Sequence, residues 1–215
     1  MKLSNENLRL YAVTDRYWLK GRTLAEVVKE SITGGATMIQ LREKNLSHDD
    51  FKSEALEIQA LCKEYHIPFI INDDVELARE ISADGVHVGQ DDMNAVNAGK
   101  LIGSGKILGV SVRTADEALE AERNGADYLG AGAVFHTGSK DDAVDITHEA
   151  LREICSSVKI PVVAIGGINS KNIHLLKGSG IKGVAVISAV FASDDITLAA
   201  RELRGLSEKY FAHES

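Results

Sequence analysis

Eight short apolar runs, amphipathic helical text between them, and glycines where that helical text ends predict an α/β chain. Its eight β/α units should close into one (β/α)8 barrel, a TIM barrel. The runs are apolar throughout rather than alternating, as strands of a parallel sheet covered on both faces are. Eight successive units within 215 residues suit the small end of the barrel's range. A doubly wound open sheet is the runner-up. No dinucleotide fingerprint follows the first run, however, where Tyr11-Ala-Val-Thr-Asp15 stands instead.

In chain order, strands are predicted over 10–13, 38–41, 69–71, 86–88, 107–110, 128–131, 162–165 and 184–187. The first helix follows from Leu24, Val27, Val28 and Ile32, which recur at helical spacing over 24–32. The second, over 47–66, starts at a Ser47-His-Asp-Asp50 cap and carries Phe51, Ala55, Leu56 and 58–61 on one stripe. The residues 114–124 and 147–156 repeat the scheme, and 195–211 closes the chain. Gly34-Gly35-Ala36, Ala83-Asp84-Gly85, Asn124-Gly125-Ala126-Asp127 and Gly178-Ser179-Gly180 each precede a strand, where glycine supplies a left-handed helix stop. Pro68 and Pro161 stand just before strands, and no linker-like tract interrupts the chain. Residues 1–215 therefore form one domain.

Composition narrows the function classes. Hydrophobic residues make up 44% and charged residues 26%, as in an ordinary globular protein. The formal charge of −8 argues against nucleic acid or an anionic membrane as partner, so an anionic ligand must be held by a local cluster of cations. Two cysteines, Cys62 and Cys155, sit in helical text without metal-ligand spacing, which suits a reducing compartment. The polar start, 1–10, lacks the apolar core of a signal peptide, and no apolar run reaches spanning length; a cytoplasmic location is expected.

In a barrel of this kind chemistry gathers where strands run into their following loops. The second strand ends in Gln40-Leu-Arg42-Glu-Lys44, and period-2 geometry sends Gln40, Arg42 and Lys44 to one side, a fork suited to a diphosphate. The alternative is a solvated strand end with the cations paired to Glu43 or Asp49. Strands three and four end in Asn72-Asp73-Asp74 and Gly89-Gln90-Asp91-Asp92. Carboxylates from adjacent strands, without cysteine, suit Mg²⁺. Asp73 or Asp92 could instead cap the helix that follows, and one residue of each pair is expected to cap while the other binds. Ser111, after the fifth strand, offers a hydroxyl or a helix cap. The sixth strand opens into Thr137-Gly-Ser-Lys140, a phosphate cradle or a plain turn. Ala164-Ile-Gly-Gly-Ile168 and Val186-Ile-Ser-Ala189, after strands seven and eight, match the usual phosphate seat of such barrels.

Two anion sites result. Arg42, Lys44, Lys140 and a metal at Asp73 and Asp92 make a strongly positive one; Gly167, Ser188, Thr137 and Ser139 make a milder one. The sequence shows no serine–histidine pairing and no general base with an orienting partner. Such a site suits departure of a diphosphate by charge stabilisation and positioning.

These stretches, together with Leu10-Tyr-Ala-Val-Thr-Asp15, Ile39-Gln-Leu-Arg-Glu-Lys44, Ile71-Asn-Asp73, 85–92, 109–111, Phe135-His-Thr-Gly-Ser-Lys140, 164–168 and 183–188, resemble the thiamine-phosphate synthase family over nearly the whole chain. The resemblance implies a transferase that joins 4-amino-5-hydroxymethyl-2-methylpyrimidine diphosphate to a thiazole phosphate, plain or carboxylated, with release of pyrophosphate. The diphosphate would leave first, giving a pyrimidine-methyl cation. By the same resemblance Gln40, Leu41, Arg42, Glu43, Lys44, Asn72, Ser111 and Lys140 hold the pyrimidine diphosphate, with Arg42, Lys44, Ser111 and Lys140 as the catalytic groups. Asp73 and Asp92 hold one Mg²⁺ per subunit. Thr137, Gly138, Ser139, Gly167, Ile187 and Ser188 hold the thiazole phosphate. Small-molecule substrates are the implied partners, and a homo-oligomer is left open. His136 stands where members commonly have proline, and Ser139 where many have threonine. His136 is expected to face solvent and His87 to pack within the barrel.

A thiazole tautomerase shares the fold but has no need of a diphosphate clamp. A Schiff-base aldolase would need a lysine within a strand, and Lys140 lies beyond one. A phosphate sensor without turnover is the non-enzyme alternative; the retained metal carboxylates disfavour it.

Overall fold

Strands β1 (Leu10–Val13), β2 (Met38–Leu41), β3 (Phe69–Asn72), β4 (Gly85–Val88), β5 (Ile107–Val112), β6 (Tyr128–Gly132), β7 (Val162–Ile165) and β8 (Gly183–Val186) each pair in parallel with the next. β8 returns to β1, with Leu10 opposite Val184, so the sheet closes into a barrel. The computed structural model describes residues 3–90, 92–136 and 146–212.

The pleat resolves each apolar run into two faces. Outward residues such as Leu10, Ile39, Leu41, Phe69, Ile71, Val86 and Val184 join one large cluster between sheet and helices. Inward residues form a second, smaller cluster that includes Tyr11, Val13, Met38, Ile70, Ile107, Tyr128 and Val163. Each fully buried aliphatic side chain in the outer cluster contributes about 1.5–3 kcal/mol, so the two-layer burial dominates the fold. The inner face tolerates Gln40 and His87, both buried, because polar groups there can meet one another.

The principal helices are α1 (Leu24–Gly34), α2 (His48–Glu64), α3 (Val75–Glu80), α4 (Ala95–Ile102), α5 (Ala115–Arg123), α6 (His148–Ser157), α7 (Ser188–Phe191) and α8 (Ile196–Phe211). Thr23 and Glu26 form a capping box at α1, Ser47 caps α2 as expected, and Thr114, Thr147 and Asp195 cap α5, α6 and α8. Three short 3-10 turns, Asn5–Leu8, Arg16–Trp18 and Ile173–Leu176, had no periodic signal. Three or four residues cannot display a helical period.

One glycine expectation is corrected. Gly35, Gly125, Gly178 and Gly180 adopt the left-handed conformation, but at 83–85 that role falls to Ser82, with φ of 55°. Gly85 is instead the first residue of β4, where a side chain would strike the Ile107 carbonyl. Closure at the β1–β8 seam draws on buried Arg9, which donates to the Lys182 carbonyl at 2.7 Å and reaches the Ala212 carbonyl at 3.4 Å. Among the described residues no helix is long and apolar enough to cross a membrane.

Candidate active site

The C-terminal strand ends converge on a narrow cavity lined by Gln40, Arg42, Asn72, His87, Ser111 and Ile187, among others. A wider cleft at the opposite end of the barrel, along α6 and the start of β7, contains none of these groups. The convergent polar residues, not width, mark the candidate site.

Gln40 is buried, and its Nε2 donates to the Tyr11 hydroxyl at 2.6 Å. Arg42, just beyond β2, is anchored through its backbone N–H to Thr14 Oγ1 at 3.0 Å. Its side chain is 9% exposed, and Asp15, 3.8 Å away, is the one carboxylate within 4 Å among the described residues. Glu43 pairs with Arg16 at 2.7 Å rather than with Arg42 or Lys44. Arg16 also grips Glu54, whose carboxyl is raised chiefly by burial. The chain that leaves β2 is thus tied to the loop after β1.

Three expectations about this strand end change. β2 stops at Leu41, so its alternation does not extend to Lys44, which is exposed and outside the cavity wall. Leu41 turns its side chain into the outer cluster and can offer a ligand only its backbone. The Glu43 carboxylate is committed to Arg16 and accepts from the Lys44 backbone N–H, so it braces the loop.

Of the two acidic pairs, the first has a capping member as expected, whereas the helix after the second is capped by Asn94 instead. Asp74 caps α3, accepting from Leu77 N–H at 2.8 Å, which leaves Asp73 without that duty. Asp73 holds a left-handed φ of 64°, its N–H donates to the His87 carbonyl at 2.8 Å, and its Oδ2 accepts from Asn72 Nδ2 at 2.5 Å. Aspartate is among the non-glycine residues that adopt this left-handed conformation most readily. Asn94, not Asp92, caps α4, and Asp92 Oδ2 accepts from Gly89 N–H at 2.7 Å. Two carboxylates at the ends of neighbouring strands are hard oxygen donors and fit Mg²⁺ that completes its shell with water and phosphate. Among the described residues no cluster of three or more metal-ligating side chains exists.

Ser111 does not cap α5, because Thr114 does. The absence of a serine–histidine pairing is corrected as well: His87 Nε2 lies 2.9 Å from Ser111 Oγ. Strands β4 and β5 are neighbours, and pairing across a sheet is invisible to sequence spacing. The other ring nitrogen of His87 meets the neutral Tyr128 phenol at 2.9 Å, not a carboxylate, so the arrangement is no nucleophilic triad. Tyr11, which also lines the cavity, and Tyr128 were both unassigned from sequence and meet at 2.8 Å. Their inward parity in their strands was the available signal. Burial pushes both phenols well above their usual range.

On the far side, Gly166 and Gly167 have φ of 102° and 62°. A side chain at Gly167 would strike Phe135 and the His136 carbonyl, so glycine lets this turn pack against the segment leaving β6. Ile187 lines the cavity, and Ser188 opens α7. His136 is exposed, as expected. Thr137, Gly138, Ser139 and Lys140 lie outside the described residues, as does Asp91. Cys62 is buried, its thiol pushed up to about 12 by burial, and is chemically quiet.

A family model described as thiamine monophosphate synthase matches residues 10–190. The chain is 50% identical over 205 residues to a thiamine-phosphate synthase of Clostridium tetani, covering 94% of this chain and 98% of that one. It is also 50% identical over 195 residues to a thiamine-phosphate synthase of Clostridium beijerinckii, covering 91% and 93%. A solved structure of thiamine phosphate pyrophosphorylase from Pyrococcus furiosus superposes with a TM-score of 0.88 at 45% identity, over 96% of this chain and 98% of that one. With a closed eight-stranded barrel and polar strand ends in the same chain, these matches show that it belongs to the thiamine monophosphate synthase family and is a transferase of the thiamine-phosphate synthase class.

Proposed function

We propose that the chain condenses 4-amino-5-hydroxymethyl-2-methylpyrimidine diphosphate with a thiazole phosphate, plain or carboxylated, releasing pyrophosphate, and carbon dioxide as well from the carboxylated form, in the cytoplasm. The observation that carries this reading is Arg42: a nearly buried guanidinium at the cavity wall whose nearest carboxylate among the described residues, at 3.8 Å, is too distant for a tight pair. A cation held in that state suits an incoming anion with bidentate oxygen geometry.

Asp73 and Asp92 would hold one Mg²⁺, which when bound supplies charge neutralisation to the diphosphate. Arg42 and Asn72 orient the diphosphate, with Lys44 able to swing onto it from the exposed loop. Gln40 and Ser111 seat the pyrimidine on the barrel floor. Carbon–oxygen cleavage then leaves a pyrimidine-methyl cation, whose electron deficiency is met when the thiazole nitrogen donates its lone pair. No protein base is needed for that step. Gly167, Ile187 and Ser188 seat the thiazole phosphate; Thr137, Gly138, Ser139 and Lys140 are proposed to bridge the two anions on sequence grounds alone.

The decisive test incubates the purified protein with both substrates and Mg²⁺ and measures thiamine phosphate and pyrophosphate. Equal amounts of the two products are expected. Absence of both from well-folded protein would overturn the proposal.

A further inference from the structure

The inner face of the barrel carries one continuous polar chain. Gln40 Nε2 donates to Tyr11 Oη at 2.6 Å, and Tyr11 Oη lies 2.8 Å from Tyr128 Oη. Tyr128 Oη lies 2.9 Å from His87 Nδ1, and His87 Nε2 lies 2.9 Å from Ser111 Oγ. The chain begins and ends on Gln40 and Ser111, two residues of the cavity wall, and runs between them through side chains that are at most 8% exposed. Glycines make room for it. A side chain at Gly109 would collide with the Tyr128 phenol and His87, and one at Gly130 would crowd the His87 ring.

Proton counting gives the chain a direction. Each phenol has one proton to give. With the Gln40 amide nitrogen donating to Tyr11, the one direction that gives both phenol protons an acceptor within the chain runs from Tyr11 to Tyr128 and from Tyr128 to His87 Nδ1. Burial keeps both phenols protonated, so neither donor is lost near neutral pH. Apolar groups of the same shape could replace these paired hydroxyls and imidazole at little or no cost in stability, so stability alone does not account for them. The chain therefore calls for a role beyond packing.

We propose that this buried chain sets the hydrogen-bonding polarity of the barrel floor: it holds His87 with its proton on Nε2, donating to Ser111. The Ser111 hydroxyl proton is then left for the substrate, with Gln40 Oε1 as the matching acceptor. Tyr11, Tyr128 and His87 act as positioning residues. A floor with one acceptor and one donor suits an aminopyrimidine edge, whose amino group donates beside a ring nitrogen that accepts. The identity of that ligand rests on the function proposed above; the position of the proton does not.

The proton is read directly in ligand-free protein. Histidine-ring ¹⁵N labelling and a two-bond ¹H–¹⁵N spectrum report it, with His87 identified by the signal lost in His87→Gln. A bare Nδ1 and a protonated Nε2 are expected; a proton on Nδ1 would overturn the proposal. Tyr128→Phe should release the constraint, so that an Nδ1-protonated form appears. It should also raise KM for the pyrimidine diphosphate about tenfold while leaving KM for thiazole phosphate unchanged. His87→Gln, which keeps a donor toward Ser111, should retain more kcat/KM than His87→Leu. An unchanged His87 spectrum in Tyr128→Phe, or a loss shared equally by both substrates, would reduce the chain to packing. A native protein inert toward the pyrimidine diphosphate would refute the proposed function, yet leave the spectral test intact.

Discussion

Arg42 and Asp73 are the two single positions on which the proposed ligand binding rests most. The Arg42 backbone N–H is anchored to Thr14, while its guanidinium has no carboxylate closer than 3.8 Å among the described residues. Arg42→Ala should raise KM for the pyrimidine diphosphate about tenfold to a hundredfold, and Arg42→Lys should recover part of the loss, because an ammonium keeps the charge but not the fork. Steady-state kinetics with thiazole phosphate saturating reads both. For Asp73, with φ of 64°, asparagine is the informative replacement, since it tolerates that conformation while removing the charge. Asp73→Asn should raise the Mg²⁺ concentration needed for half-maximal turnover by about tenfold or more. Metal dependence like that of the native enzyme would remove Asp73 from the metal site. Of the predicted site residues, Gln40, Arg42, Asn72, Ser111 and Ile187 meet around one cavity. Their residue types and strand-end positions were legible. The roles of Leu41 and Glu43 were not, because which face a side chain takes and which neighbour claims it depend on register and on the adjoining loop.

At the scale of elements, short-range chemistry decides most of the boundaries. Among the described residues seven side-chain caps stand before α-helices, and the cap side chain is what separates Asp74 from Asp73 and Asn94 from Asp92. Asp74→Ala should lower stability by about 1 kcal/mol through loss of the α3 cap, seen as a lower melting temperature with metal affinity unchanged. Asp73→Asn should show the reverse pattern. α3, at six residues, and the 3-10 turn Arg16–Trp18 escaped periodicity because they are too brief to show a stripe. Arg16 nonetheless matters, since it ties the loop after β1 to Glu43 and to Glu54 on α2.

Across the whole molecule, the closed ring of strands makes the seam between β8 and β1 a requirement for every other contact. Gly34 lets α1 approach Thr197 and Ala200 of α8, and Ser207 Oγ donates to the Arg9 carbonyl. Arg9 satisfies two carbonyls while its own Nε has no partner among the described residues. Arg9→Met should therefore cost about 2 kcal/mol, the scale of carbonyls left unsatisfied in the interior. Hydrogen exchange should show α8 losing protection first, while kcat and KM stay near native below the melting transition, because Arg9 lies at the end of the barrel opposite the cavity.

The sequence by itself determined the number of β/α units, their order, the barrel class and the residue types at the strand ends. Those follow from local periodicity, from caps and glycines, and from the rule that parallel strands need crossovers between them. Tertiary structure decided which of those residues meet. Parallel strands bring together positions tens of residues apart, as with His87 and Ser111, or Tyr11 and Tyr128 across the interior. Such pairings are set by barrel closure and shear, which no window along the chain contains. The polar chain beneath the cavity exists for that reason alone, assembled from strands that are separate in sequence and adjacent only once the ring is closed.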